Sequence, residues 1–137
     1  MGQELSFQLS ADFSELARMS GLVRAFGEDA RLSEKAVFVL NFTIEELVTN
    51  LIKYGAVAGA AHVIRVSLRL LPAAVAVEIE DNGKPFNPLD APSPDVGCPV
   101  EQRKAGGLGI FLLRGFADAI DYERRGDKNL VTVVTKI

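Results

Sequence analysis

Residues 33–55 read SEKAVFVLNFTIEELVTNLIKYG, and this stretch decides the fold. Val37, Leu40, Ile44, Leu47, Val48 and Leu51 recur at helical spacing and share one face, which makes the stretch a helix with a core stripe. Ser33 supplies the N-cap and Gly55 the stop, setting the helix over about 34–54. Before it, Leu5, Phe7 and Leu9 alternate with polar residues as a first strand. Asp12 or Ser14 then caps a helix running to about Phe26, carried by Leu16, Val23 and Phe26 and ended by Gly27-Glu28-Asp29. After it, a small-residue linker over 56–61 leads to strands over 62–71 and 74–80, joined by a tight turn at Leu71-Pro72-Ala73.

The character changes over 81–105, where Pro85, Pro88, Pro92, Pro94 and Pro99 exclude helix interior and central strand. Unstructured connections of this length are usually functional or disordered. A helix resumes over 108–117, and a hairpin over 120–124 and 130–135 turns around Gly126-Asp127. The order β-α-α-β-β-loop-α-β-β predicts an α+β fold, a two-layer α/β sandwich whose mixed, mostly antiparallel sheet carries its helices on one face.

The 137 residues make one domain, long enough to bury a core. A net charge of −3 argues against non-specific nucleic-acid binding, which needs a basic face. Cys98 is the only cysteine and His62 the only histidine, so neither an internal disulfide nor a multi-cysteine zinc cluster can form. Residues 1–10 lack the basic start and apolar run of a signal peptide, and no apolar stretch approaches a membrane span. A cytoplasmic protein without membrane contact is expected.

Three polar features stand out against this frame. Glu46 and Asn50 lie one helical turn apart, roughly opposite the core stripe, with Val39 and Phe42 on their side. As a pair alone they read equally as solvated residues; the apolar neighbours favour a pocket wall. Their oxygens suit a hard cation such as Mg²⁺, with phosphate completing its shell. Asp81-Asn82-Gly83 closes the second strand of the 62–80 pair. A buried carboxylate there needs a partner, for which the exocyclic amine of adenine is suitable, and Gly83 lets a flat ligand approach the backbone. Gly106-Gly107-Leu108-Gly109 opens the last helix, where free N–H groups and the dipole favour an anion. A hinge before a helix reads equally well from that run in isolation.

In this order and spacing, Glu46-Leu47-Val48-Thr49-Asn50, Asp81-Asn82-Gly83-Lys84-Pro85-Phe86 and Gly106-Gly107-Leu108-Gly109-Ile110 resemble the GHKL ATPase superfamily, over nearly the whole chain. The resemblance implies the Bergerat, histidine-kinase-like ATPase fold, with ATP and Mg²⁺ as ligands and a flexible ATP lid at about 84–106 within a single domain, 1–137. The chain looks most like the stand-alone anti-sigma-factor serine/threonine kinases. That likeness implies Glu46 as general base, Asn50 as Mg²⁺ ligand, Asp81 and Gly83 at the adenine, and Gly106, Gly107, Leu108 and Gly109 around the phosphates. It also implies an arginine of the first helix facing the protein partner, Arg18 first and Arg24 second, and leaves a homodimer open. One departure stands out: relatives carry a Gly-Thr pair before the last strand, where this chain has Lys128-Asn129-Leu130, with Thr132 as a partial substitute. The expected activity is phosphorylation of a small antagonist domain, with a sigma factor as second partner. The alternatives are a non-catalytic ATP-dependent partner-switching module and a histidine-kinase-like ATPase domain.

Overall fold

The computed structural model describes residues 3–90 and 107–137. Strand β1 (Glu4–Ser10) leads through a 3-10 turn (Phe13–Glu15) into α1 (Leu16–Asp29) and α2 (Glu34–Tyr54). Strands β2 (Val63–Leu71) and β3 (Ala74–Asp81) follow, then a 3-10 turn (Pro88–Asp90), α3 (Gly107–Phe116), β4 (Ala119–Arg125) and β5 (Lys128–Lys136). The strands form one sheet in the order β1-β2-β3-β5-β4.

Every pairing in that sheet is antiparallel, so it is not mixed. The helical crossover from β3 would make an adjacent β4 parallel to it. Instead the β4–β5 hairpin inserts β5 between them and reverses the direction.

The α2 boundaries follow from its caps. Ser33 accepts the Ala36 N–H at 3.1 Å, Glu34 lies in the first turn, Lys53 in the last, and Gly55 takes the C-cap. The end of α1 differs from expectation. The helix runs through Gly27 to Asp29, because Gly27 is a packing glycine and not a stop. A Cβ there would lie 2.4 Å from Val37 Cγ2, so the bare Cα lets α2 pack against α1. The chain turns instead at Arg31, at φ 56°.

Met19, Val23 and Phe26 of α1 and Leu40, Ile44, Leu47, Val48 and Leu51 of α2 bury against Ile64, Val66, Leu68, Val75, Val77, Ile79, Val131 and Val133 of the sheet. Ile110 and Leu113 of α3 complete the core. Val37, counted with the α2 stripe, is only partly buried because it serves the α1 contact. Ile44 is fully buried. Ile44→Ala is expected to lower stability by ~2–5 kcal/mol, read as a lower urea midpoint at unchanged m-value.

Candidate functional site

Asp81 ends β3 with its side chain turned into the protein, opposite Ile64 on one side and Asn129 on the other. Its Oδ2 accepts the Gly83 N–H at 2.9 Å and lies 2.8 Å from His62 Nε2. Its Oδ1 is buried with no hydrogen-bond partner among the described residues. A buried acceptor without a donor is costly, and a ligand amine would satisfy it.

Gly83 is also buried, but what requires a glycine there is the protein itself. A Cβ would lie 2.3 Å from the Gly55 carbonyl oxygen, 2.8 Å from Asp81 Oδ2 and 2.9 Å from His62 Nε2. The Lys84 N–H donates to that Gly55 carbonyl at 3.0 Å, which ties the loop after β3 to the end of α2.

Asn50 lies one turn before that end and is 3% exposed. Its Nδ2 donates to the Glu46 carbonyl at 2.9 Å and to Glu46 Oε1 at 3.2 Å. The amide nitrogen is thereby spent on the helix, and its oxygen is the end that suits a hard cation. The partly buried Glu46 carboxylate meets the first turn of α3: a Cβ on Gly109 would lie 2.0 Å from Glu46 Oε1. Gly107 begins α3. Gly106 and the Leu108 side chain lie outside the described residues. Gly109→Ala is expected to push the Glu46 carboxylate aside, with phosphotransfer falling at least ~10-fold and melting temperature little changed, since the displaced atoms end a flexible side chain.

These groups meet along α2, whose axis rises about 13 Å from Glu46 to Gly55. The Asp81 acceptor stands at one end and the start of α3 at the other. The residues present fit ATP with Mg²⁺ on this ground: an orphaned acceptor for a base, an amide oxygen for the cation, and a helix N-terminus for phosphates.

Asn129, which lies where the resemblance implies a Gly-Thr pair, is fully buried. Its Oδ1 accepts from Tyr122 Oη at 2.5 Å and from the Phe86 N–H at 3.2 Å, while its Nδ2 donates to the Lys84 carbonyl at 2.9 Å. Thr132 is no substitute. It pairs with Glu78 and Asp121 on the outer face of the sheet, because side chains alternate along β5. Residues 84–90, assigned from sequence to the lid, are thus fastened to the body; Phe86 also stacks on Tyr54 and Pro88 is buried. The remainder of the expected lid lies outside the described residues. Asn129→Ala leaves three groups without partners and is expected to cost about 2–4 kcal/mol in chemical denaturation.

Sequence reasoning missed His62, Asn129 and Arg124, whose Nη1 donates to the Gly83 carbonyl at 2.8 Å. Arg18, in contrast, is not gathered along α2. It donates to the Gln8 carbonyl at 2.7 Å and pairs with Glu15 at 2.6 Å, with half its side chain exposed. Arg24 borders a groove between α1 and α2 with Phe38, Asn41 and Phe42.

The family model for the histidine kinase-like ATPase domain matches residues 9–135. Serine/threonine-protein kinase BtrW of Bordetella bronchiseptica is 30% identical, over 77% of this chain and 74% of that one. Serine-protein kinase RsbW of Listeria monocytogenes is 27% identical, over 99% of this chain and 88% of that one. A crystal structure of the RsbU and RsbW domains of Rv1364c from Mycobacterium tuberculosis shares the fold, with a TM-score of 0.66 at 12% identity, over 97% of this chain and 32% of that one. Among the described residues no helix is long and apolar enough to cross a membrane. Matched across most of its length, the chain belongs to the histidine kinase-like ATPase domain family, within the GHKL superfamily that its motifs resemble.

Proposed function

We propose that this chain is a cytoplasmic protein serine/threonine kinase of the anti-sigma-factor type, which uses ATP to phosphorylate a small antagonist domain. The observation that carries this reading is the placement of the buried Asp81 acceptor and the Glu46 carboxylate at opposite ends of one stretch of α2. The names of the kinase relatives support the choice of reaction.

Asp81 Oδ1 accepts the adenine amine, and the first turn of α3, with Gly107 and Gly109, donates to the phosphates. Asn50 would hold Mg²⁺ through its amide oxygen, and the ion would supply neutralisation of the phosphate charge. Glu46, beside the start of α3, takes the proton from the attacking hydroxyl. Asn50 keeps that carboxylate in place through Nδ2. Arg18 faces the protein partner, and a sigma factor is the second partner.

Incubation of the full chain with Mg²⁺ and γ-labelled ATP, together with a candidate antagonist domain, tests the reading. Label on a serine or threonine of that domain is expected. ATP binding without any transfer to a domain that binds the chain would favour the non-catalytic switching module.

A further inference from the structure

The site contains a buried imidazole that the phosphotransfer chemistry does not use. His62 Nε2 lies 2.8 Å from Asp81 Oδ2, with the two side chains 7% and 1% exposed. The backbone on both sides of His62 is pinned by Asn82, whose Oδ1 accepts the Val63 N–H at 2.8 Å and whose Nδ2 donates to the Ala61 carbonyl at 2.9 Å. The ring sits against two glycines: a Cβ on Gly55 would lie 3.0 Å from its Cε1, and one on Gly83 would lie 2.9 Å from its Nε2. Nδ1 is buried without a partner among the described residues, so Asp81 is the group this ring serves.

The hydrogen bonds then fix what Asp81 offers a ligand. The Gly83 N–H donates to Oδ2, and His62 Nε2 lies 2.8 Å from the same oxygen, where it is the donor to an ionised Asp81. Both contacts fall on Oδ2, so they fix the orientation of the carboxylate and leave Oδ1, an acceptor in the ionised group, as the oxygen open to a ligand. Such an acceptor matches the 6-amino group of adenine and opposes the 6-oxo group of hypoxanthine or guanine.

We propose that His62 is the specificity-determining partner of Asp81: by donating to Oδ2 it holds the carboxylate with Oδ1 presented to the ligand as an acceptor, so that the site takes 6-aminopurine nucleotides and rejects 6-oxopurine ones. The inference rests on the reading of Asp81 as the base-binding residue. Without the imidazole, Oδ2 keeps only the Gly83 N–H, and the carboxylate is free to rotate, so its acceptor is no longer held toward the base.

The test is the ratio of ITP to ATP dissociation constants, measured by equilibrium titration with Mg²⁺ on the full chain. The wild type is expected to favour ATP by ~100-fold or more, since a site built for one hydrogen-bonding pattern rejects its inverse. His62→Phe is expected to shrink that ratio at least ~10-fold. His62→Gln, whose Nε2 can still donate to Oδ2, is expected to keep the ratio within ~3-fold of wild type. If the Phe variant does not fold, His62→Met removes the donor with less bulk and carries the same test. An unchanged ratio in the donor-free variant, whatever its absolute affinities, would overturn the assignment. Failure of the wild type to bind ATP would instead overturn the reading of the site itself.

Discussion

Glu46→Gln is expected to bind ATP within ~3-fold of wild type and to transfer phosphate ~10²–10⁴-fold more slowly, the range that a lost general base costs. The argument is geometric. Asn50 Nδ2 donates two hydrogen bonds to residue 46, one to the backbone carbonyl and one to Oε1. A glutamine keeps the carbonyl and an Oε1 acceptor, so Asn50 and its cation-facing oxygen stay in place. It also keeps nearly the same volume beside Gly109, where the side chain already touches the start of α3. Only basicity is lost. Single-turnover transfer of label, set beside an ATP titration, separates the two effects. Unchanged transfer would remove Glu46 from the chemistry.

Asp81→Asn has the opposite profile: binding itself is expected to fall ~100-fold or more. The carboxylate meets donors on both sides, His62 Nε2 and the Gly83 N–H at Oδ2 and a base amine at Oδ1. Asparagine has one acceptor and one donor end. If its oxygen faces His62 and Gly83, its amide points at the incoming amine; if it is flipped, two protein donors face an amide nitrogen. Each lost charge-assisted hydrogen bond is worth ~1.5–3 kcal/mol, and each 1.4 kcal/mol is about tenfold in affinity. The register of β3 between β2 and β5 gives position 81 little freedom to relax.

The elements were legible because their periodicities are clean. The α2 stripe, the alternation in β1 and the proline-rich break after Asp81 each follow from local physics. What sequence did not reveal depended on contacts between distant segments. Gly27 looked like a helix stop because nothing nearby reveals that Val37 will press on it. The all-antiparallel sheet hinges on β5 inserting beside β3, a tertiary choice. His62 is 19 residues from Asp81, and Asn129 is 43 and 45 residues from the backbone groups it clamps. No short motif marks such partners. The ordered set Glu46, Asn50, Asp81 and the glycines was visible, and the structure lines up the described members along α2. Gly83 has a packing requirement of its own, and Arg18 stands apart from the set.

The central claim is a nucleotide site with Asp81 at its base end. Titration of the full chain with ATP in the presence of Mg²⁺, by calorimetry, tests it most directly when run beside Asp81→Asn. Saturable one-to-one binding that the substitution weakens ~100-fold or more is the expected result. No binding by the wild type, or equal affinity in both proteins, would contradict it.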